Sequence, residues 1–493
     1  MGLSVVKNQP CIIYLVSSVQ YSPSVRSLPI VIGLFLGLTS CNLVPQKINL
    51  TQPPFNCPPV STASPASDLP SDSLPLDIEI HVDGSGSMLG YVPENPVEQE
   101  TVYTETLETL HQVLTTPRKD SSTPQYFRTG LNRKTSLSTE KFSFNDRTPG
   151  RLNPITKDFY EGNLTSQLQA AITPSKNDRN KLLVLISDLD QDSGAINYVT
   201  KAIQEHFFNQ QTQQNTPYGI ALLGVRSEFD GTVFSTDPSK IENFPYKSTR
   251  KLATYRPFYL LWVGPVTELN QYLPELVEKI EQKGGDPEVS LFSPEDLKAE
   301  LRLNPQQIPA DLPSSIGIRT LKKGQVVLVQ EQAPGHLFSL SPRQTETIRV
   351  SYELTPLKEV SPYSLKPGKI EAQAQSWDLS ATSDPLERSS QEASAEMELT
   401  NFDFQNQTFK FTLSFHPDKI EPSSLYVYRF DLVAKGLTSP EWWTAWDWDS
   451  RENDKDGSKT YQLSRFTESL ATISLEAMGQ DKAIGSVCFA VQK

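Results

Sequence analysis

Apolar residues along this chain follow two periodicities, and the balance between them changes from the first half to the second. In the first half, short apolar runs alternate with stretches in which apolar residues recur every three or four positions, as on one face of a helix. The predicted strands are residues 76–82, 181–186, 218–225 and 257–263, and the predicted helices are residues 97–114, 195–208 and 266–282. Because strands that alternate with helices pack as a sheet between helices, we expect an α/β domain at residues 76–285 with a doubly wound, mostly parallel sheet.

Helical spacing largely disappears in the second half, where short apolar runs are separated by turn residues. The predicted strands are residues 316–330, 345–354, 369–377, 395–404, 408–415, 424–433 and 484–491. Strands at this spacing favour an all-β domain at residues 313–493, a sandwich of the immunoglobulin-like sort. Residues 286–312 are then a charged linker with a short helix at 293–303, and the polar residues 380–393 are a long loop.

The beginning of the chain has the layout of a secretory signal. A short apolar run at residues 28–38 follows a basic residue and ends in small residues. The residues LTSC, at positions 38–41, resemble the lipobox of bacterial lipoproteins, in which the cysteine is acylated and becomes the first residue of the mature chain. The run is too short to span a bilayer permanently, so acyl chains on Cys41 would hold the protein at a membrane surface. An uncleaved anchor, or a plain signal with a chance cysteine, is the alternative.

These features divide the first 75 residues into a lipoprotein signal at residues 1–40 and a Pro/Ser-rich tether at residues 41–75. Residues 1–24 fit a signal poorly, so we expect the true start at or near Val25. The resulting expectation is a membrane-anchored, extracytoplasmic protein of a bacterial cell envelope.

Charge, cysteines and histidines limit the classes of function. The formal net charge is −13, so the surface repels phosphate backbones and we expect no nucleic-acid partner. Cys57 and Cys488 remain in the mature body, where an oxidising compartment permits a disulfide between them; two free thiols are the alternative. Only five histidines are present, and no phosphate loop, zinc spacing or Ser-His-Asp arrangement is found. We therefore expect a binding protein and no enzyme.

The residues IHVDGSGSM, at positions 80–88, place an aspartate and two serines at alternate positions directly after the first predicted strand. Asp83 ends that strand, and the glycines that follow allow the turn to fold over a small ion, so that Ser85 and Ser87 face the same point. A second apolar strand ends at Asp188, which brings another carboxylate to the same edge of the sheet. Carboxylates and hydroxyls without Cys or His ligands suit a hard divalent cation, Mg²⁺ above all, with Mn²⁺ or Ca²⁺ as alternatives.

The pattern Asp83-Gly-Ser85-Gly-Ser87 resembles the DxSxS signature of von Willebrand factor A domains, whose Rossmann-like fold carries a metal-ion-dependent adhesion site. Residues 182–188 (LLVLISD) resemble the central strand of that family, which ends in the metal-site aspartate, here Asp188. The resemblance covers residues 76–285. It implies that Asp83, Ser85, Ser87 and Asp188 are metal ligands.

The family's remaining metal ligand is a threonine on a loop between the two aspartates. Residues 161–172 (EGNLTSQLQAAI) resemble that loop and the helix after it. Thr165 is the match by residue type and is slightly favoured, whereas Ser166 fits better by register with the apolar positions that follow. Both therefore stay candidate ligands.

The chain departs from the family after Asp188, where a glycine is often found and this sequence has Leu189, followed by Asp190 and Asp192. The extra acids either raise the affinity for a cation or mark the start of a helix at Asp192 or Ser193. Helix capping is the favoured interpretation.

Three further features carry weaker signals. His81 is predicted to be a half-buried strand residue and no ligand. Residues 441–449 (EWWTAWDWD) concentrate tryptophans, which we expect to fill a sandwich core, with an exposed partner surface as the alternative. Residues 452–463 resemble a calcium loop only faintly and are predicted to form a hairpin turn.

The family resemblance implies binding of a protein ligand through the metal. One coordination position of the cation stays open, and a Glu or Asp carboxylate of the partner completes the sphere. Two alternatives remain open. One is a metal-dependent hydrolase or phosphotransfer enzyme that uses Asp83, Asp188 and Asp190, and the other is an envelope scaffold whose metal site is vestigial.

Overall fold

A seven-stranded sheet forms the centre of the first half of the chain. The computed structural model describes residues 76–95, 99–116, 123–132, 138–145, 151–161, 164–172, 180–190, 193–208, 217–234, 243–298, 309–314, 316–320, 336–354, 360–379, 386–405, 408–448, 456–478 and 483–493. The elements of this half are β1 (Asp77–Asp83), α1 (Val102–Thr115), β2 (Gln125–Thr129), β3 (Leu131–Asn132), β4 (Thr139–Phe142), β5 (Leu164–Thr165), β6 (Lys181–Ser187), α2 (Ser193–Ile203), β7 (Tyr218–Ser227), β8 (Asp230–Val233), β9 (Phe244–Lys247), β10 (Arg256–Pro265), α3 (Val266–Gln282), β11 (Pro287–Phe292) and α4 (Pro294–Leu297). Each strand and helix predicted within residues 76–285 corresponds to one of these elements.

The sheet is mixed, so the prediction of a mostly parallel sheet is wrong. Its strand order is β11–β7–β10–β6–β1–β2–β4. β1 pairs in parallel with β2 and β6, whereas β10 is antiparallel to β6 and β7, β11 is antiparallel to β7, and β4 is antiparallel to β2. β10 follows β7 through the short hairpin of β8 and β9 instead of a crossover helix, and it therefore returns in the opposite direction. As a result, β10 begins at the sheet edge where β1 and β6 end.

Helices cover both faces of this sheet, as a doubly wound arrangement requires. β6 is buried along its whole length because alternate side chains belong to different cores: Val184 packs on the face covered by α1 and α3, and Leu185 on the face covered by α2. The α2 face is also covered by apolar side chains from the second half of the chain, among them Phe466 and Leu470. The two halves therefore share one hydrophobic core.

Two sheets form most of the second half. Its elements are β12 (Gly317–Thr320), β13 (His336–Ser339), β14 (Ile348–Leu354), β15 (Pro367–Asp378), β16 (Leu386–Arg388), α5 (Ser390–Glu396), β17 (Met397–Gln405), β18 (Thr408–Phe415), β19 (Leu425–Leu437), α6 (Glu441–Ala445), β20 (Asp447–Trp448), β21 (Thr460–Tyr461), α7 (Leu463–Ala477) and β22 (Ala483–Gln492). The six-stranded sheet has the order β12–β13–β22–β19–β15–β16, and the three-stranded sheet has the order β14–β18–β17. They pack on a common core in which the rings of Phe411 and Phe489 lie 6.5 Å apart.

Several expectations for the second half need correction. The region predicted to be a loop, residues 380–393, contains β16 and the start of α5, which begins with a Ser389–Glu392 capping box. The half is not all-β, because α7 is an amphipathic helix whose buried Leu463, Phe466 and Leu470 recur at helical spacing. β20 and β21 pair in parallel, which is incompatible with the predicted hairpin between them.

The tryptophan-rich segment is buried, as expected, but at the contact between the two halves. Trp442, Trp443 and Trp446 pack on the α2 face of the seven-stranded sheet, and Trp448 packs on the opposite core. Trp443 stacks on Phe292 of β11 with ring centroids 5.7 Å apart. β11 itself lies within the residues predicted as a linker and is the edge strand of the seven-stranded sheet.

The predictions for the start of the chain, including the signal, Cys41 and the tether, lie outside the described residues. Cys57 also lies outside them, whereas Cys488 on β22 is disulfide-bonded. In the described part of the chain, no helix combines the length and apolar character needed to cross a bilayer.

Candidate metal centre

Asp83 is the last residue of β1 and is completely buried at the sheet edge. Its Oδ1 accepts a hydrogen bond from the backbone N–H of Ser85 at 3.0 Å. Its Oδ2 accepts hydrogen bonds from the hydroxyls of Ser166 at 2.9 Å and Ser187 at 2.8 Å. The carboxylate is therefore held in one orientation by three elements of the chain.

The charge of Asp83 is only partly compensated by these hydrogen bonds. Burial, followed by the nearby negative charge of Asp188, raises the pKa of Asp83 from 3.8 to about 6, and the hydrogen bonds from Ser85, Ser187 and Ser166 oppose that shift. Near neutral pH the site therefore holds a buried carboxylate whose ionised form a cation would stabilise.

Ser85 and Ser87 lie beside Asp83 on the turn that leads into a short 3-10 helix, Gly86–Tyr91. Their hydroxyl oxygens are 3.0 Å apart. Gly84 is required by close packing, because a Cβ at this position would lie 2.8 Å from Arg128 Nε and 3.0 Å from Leu164 Cδ1. The turn thus passes close under β2 and β5 and places both serine hydroxyls at the edge of the sheet.

Of the two hydroxyls that the sequence left open, Ser166 is the one that contacts Asp83. Thr165 is exposed, and its backbone belongs to β5, which pairs with β3. The 3-10 helix Leu168–Ala171 follows, with Leu168 and Ala171 buried. The register that placed Leu168 in the core therefore identifies the contacting hydroxyl better than residue type does.

Asp188 follows the last residue of β6 and is buried, with 1% of its surface exposed. Leu189 has a φ of +54°, the left-handed conformation that glycine adopts most easily, and its side chain is buried in the core on the α2 face. Its backbone N–H donates to Ser187 Oγ at 3.2 Å. The backbone after Asp188 therefore has a glycine-like shape although the residue is leucine.

The sequence prediction missed Arg256, the first residue of β10, which is completely buried behind Asp188. Its Nη2 forms an ion pair with Asp190 and lies 3.5 Å from Asp188 Oδ2. Burial alone would lower the pKa of Arg256, but the charges around it, Asp190 foremost, hold that pKa above its ordinary value. An arginine that opens an apolar run was visible in the sequence, but its position depends on the antiparallel direction of β10.

Asp190 precedes the helix start predicted at Asp192 or Ser193, and α2 does begin at Ser193. Its carboxylate pairs with Arg256 and accepts a hydrogen bond from the backbone N–H of Tyr461 at 2.8 Å. Asp192, the other acid of this segment, lies outside the described residues. Asp190 therefore connects the edge of the α/β sheet to the second half of the chain.

His81 on β1 is buried and belongs to a separate polar cluster. Its Nδ1 lies 3.0 Å from Thr129 Oγ1, its Nε2 lies 3.3 Å from Glu79 Oε2, and its ring stacks on Phe127. Lys181 pairs with the same glutamate at 2.6 Å. These contacts account for His81 as a structural residue of the sheet.

The oxygen atoms assembled at this edge suit a hard cation. They come from the carboxylate of Asp83 and the hydroxyls of Ser85, Ser87 and Ser166, with Asp188 beside them. Ser87 and Ser166 are partly exposed, so the side away from the sheet is open to solvent. In the described residues, at this site as elsewhere, no group of three or more His, Cys, Asp or Glu side chains is arranged to hold a metal ion, so serine hydroxyls would have to supply most of the ligands.

Comparison of the sequence with models of known protein families and with curated proteins gave no match.

Proposed function

We propose that this chain is a von Willebrand factor A-like protein that binds a divalent cation, Mg²⁺ foremost, at Asp83, Ser85, Ser87 and Ser166. The grouping of three serine hydroxyls at the buried Asp83 carboxylate carries the proposal, and the oxygens of Ser85 and Ser87, which are hydrogen-bonded to each other, are 3.0 Å apart. Mg²⁺ binds oxygen at about 2.1 Å in octahedral geometry, so adjacent ligands are about 3.0 Å apart. A cation beside the buried Asp83 carboxylate would need little rearrangement of these hydroxyls.

The order of the site residues along the chain supports the family resemblance. Asp83 ends β1, Ser166 lies on the loop before β6, a parallel neighbour of β1, and Asp188 directly follows β6. The sequence resemblance does not account for the antiparallel β10 or the buried Arg256.

The ligand that fits such a site is an acidic side chain of another protein. Mg²⁺ retains exchangeable waters, and a Glu or Asp carboxylate can replace one of them. The chain carries a net charge of −13, so a local divalent cation would attract an acidic group that most of the surface repels. The proposed setting, a lipid anchor at Cys41 outside the cytoplasm, rests on residues 28–41 of the sequence alone.

A second candidate function is favoured by Arg256. Its guanidinium already neutralises Asp190 and reaches Asp188, so it could take the place of the cation in an envelope scaffold with a vestigial metal site. That scaffold would capture the same partners with and without a divalent cation.

The direct test is titration of the purified full chain with Mn²⁺ or Mg²⁺ by isothermal calorimetry. We expect the wild type to bind one cation and Ser87→Ala to lose about tenfold or more in affinity, because one ligand of the cation is removed. Ser341→Ala, which removes an exposed hydroxyl in the second half, should bind as the wild type does. If the wild type binds no cation, the proposed function is rejected and the envelope scaffold remains as the candidate function.

The same three proteins then test the ligand. Immobilised wild type and Ser341→Ala should retain partners from envelope extract in Mg²⁺ and release them in chelator, whereas Ser87→Ala should retain less in Mg²⁺. Equal retention in chelator would favour the scaffold.

A further inference from the structure

A short segment of the second half crosses the edge of the α/β sheet beside the candidate metal centre. This segment, residues 456–461, is called the strap here. Arg256 Nη1 donates to the backbone carbonyls of Gly457 and Lys459, both at 3.1 Å. At the other end of the strap, the N–H of Tyr461 donates to Asp190 Oδ1 at 2.8 Å. The strap is therefore fixed to the α/β half by the two partners of one buried ion pair.

Arg256 contacts both the strap and Asp188, the carboxylate beside the candidate metal centre. Its Nη1 donates hydrogen bonds to carbonyls of the strap. Its Nη2 pairs closely with Asp190 and lies farther from Asp188, at 3.5 Å from Oδ2. Asp188 is thus the more weakly held of the two carboxylates. Its negative charge also acts on Asp83, so Asp188 interacts with Arg256 and with the carboxylate of the proposed cation site.

A divalent cation and the Arg256 guanidinium carry charges of the same sign, and both would interact with Asp188. In a buried, poorly solvated site such like charges repel strongly. The cation and Arg256 therefore each weaken the interaction of the other with the Asp188 carboxylate.

We propose that Arg256 and the strap form an autoinhibitory latch: the docked strap holds Arg256 against Asp188 and lowers cation affinity, and cation binding loosens the strap. This inference rests on the proposed function, because it requires the cation. The coupling is reciprocal, so whatever releases the strap must tighten cation binding by the same factor. A protein that captures ligands through its cation would then signal capture to its second half.

Gly457 offers a way to undock the strap without touching the ion pair. The strap passes close to the ring of Tyr246, because a Cβ at Gly457 would lie 2.2 Å from Tyr246 Cγ. A side chain at this position therefore requires either the strap to move away from Tyr246 or the ring of Tyr246 to shift. Gly436 on β19 is a matched control, because a Cβ there meets nothing within 4 Å.

The test compares Mn²⁺ affinity of the full-length wild type, Gly457→Ala and Gly436→Ala by isothermal calorimetry. We expect Gly457→Ala to bind the cation about tenfold more tightly than the wild type, within the usual range of coupling between two sites, and Gly436→Ala to match the wild type. In the wild type, saturating Mg²⁺ should accelerate hydrogen exchange at the backbone N–H of Tyr461.

Two results would overturn the latch. If the wild type binds the cation and Gly457→Ala binds it no more tightly, the latch is rejected and the proposed function stands. If none of the three proteins binds a cation, the latch and the proposed function are both rejected. Should Gly457→Ala fail to fold, the exchange measurement on the wild type decides, because an unchanged rate at Tyr461 in Mg²⁺ excludes the coupling.

Discussion

At the scale of single residues, the environment of Asp83 is the strongest indication of a cation site in the described part of the molecule. It is a fully buried carboxylate that accepts three hydrogen bonds and still has a pKa raised to about 6. Burial of a charge is unfavourable unless the charge is compensated. A site that keeps such a group ionised near neutral pH suits a cation that completes the compensation.

Replacing Asp83 should change how stability depends on pH. The folded pKa of about 6 lies above the unfolded value of 3.8, so between these values the folded state keeps a proton that the unfolded state has lost. Without metal, this group therefore makes the wild type less stable as pH rises, by on the order of 3 kcal/mol in all. We expect Asp83→Asn, in chelator, to gain stability relative to the wild type from pH 4 to pH 7.5, measured by urea unfolding.

The control for that prediction is Asp230→Asn, which alters an exposed carboxylate and should shift stability by no more than about 0.5 kcal/mol at either pH. Saturating Mg²⁺ at pH 7.5 should stabilise the wild type and leave Asp83→Asn unchanged. A relative stability of Asp83→Asn that does not vary with pH would contradict the pKa argument.

The sequence identified Asp83, Ser85 and Ser87 because local spacing alone brings them together. Asp188 followed from a second strand that runs parallel to the first, a direction that a buried apolar run predicts well. Arg256 could not be found in this way. Its run RPFYLLWV is equally compatible with a parallel and an antiparallel strand, and only the antiparallel direction brings its first residue to the metal centre.

At the scale of elements, strand direction and one overlooked helix account for most differences between expectation and structure. β10 lies between β6 and β7 although it follows both in the chain, because the hairpin of β8 and β9 returns the chain without a crossover. α7 was missed because its apolar residues are diluted by Ser and Thr. The buried hydroxyl of Thr467 donates to the carbonyl of Leu463 at 3.1 Å within the helix, whereas the buried hydroxyl of Ser474 has no hydrogen-bond partner among the described residues.

Because α7 packs on the seven-stranded sheet, its core residues should stabilise the first half as well as the second. Leu470 has no exposed surface and belongs to the core on the α2 face. We expect Leu470→Ala to lower the free energy of unfolding by about 2–5 kcal/mol, the usual loss for a buried leucine. Near-ultraviolet circular dichroism and urea unfolding would report it.

Glu468→Ala changes an exposed residue on the same helix and is the matched control, with an expected effect within about 0.5 kcal/mol. If Leu470→Ala destabilised the protein no more than Glu468→Ala does, α7 would not be part of the shared core.

At the scale of the whole molecule, the two halves are joined by a buried contact. Trp443 Nε1 donates to Ser290 Oγ at 3.1 Å, and the ring of Trp446 packs 6.4 Å from that of Tyr259. Tyr259 also contacts the strap, because its hydroxyl donates to Thr460 Oγ1 at 3.1 Å. The second half therefore completes one face of the α/β sheet and reaches the edge that carries the metal centre.

A fragment containing residues 76–298 alone should fail to form a stable α/β domain. Removing the second half would expose the sheet face that α6 and α7 cover, including Leu222, Tyr259 and Phe292. An exposed apolar face of this kind leads to association and binds hydrophobic dyes. We expect the fragment to bind anilinonaphthalene sulfonate and to lack a cooperative unfolding transition, whereas residues 76–493 with the same tag unfold cooperatively and bind little dye. A monomeric fragment that unfolds cooperatively would mean that the sheet does not depend on the second half.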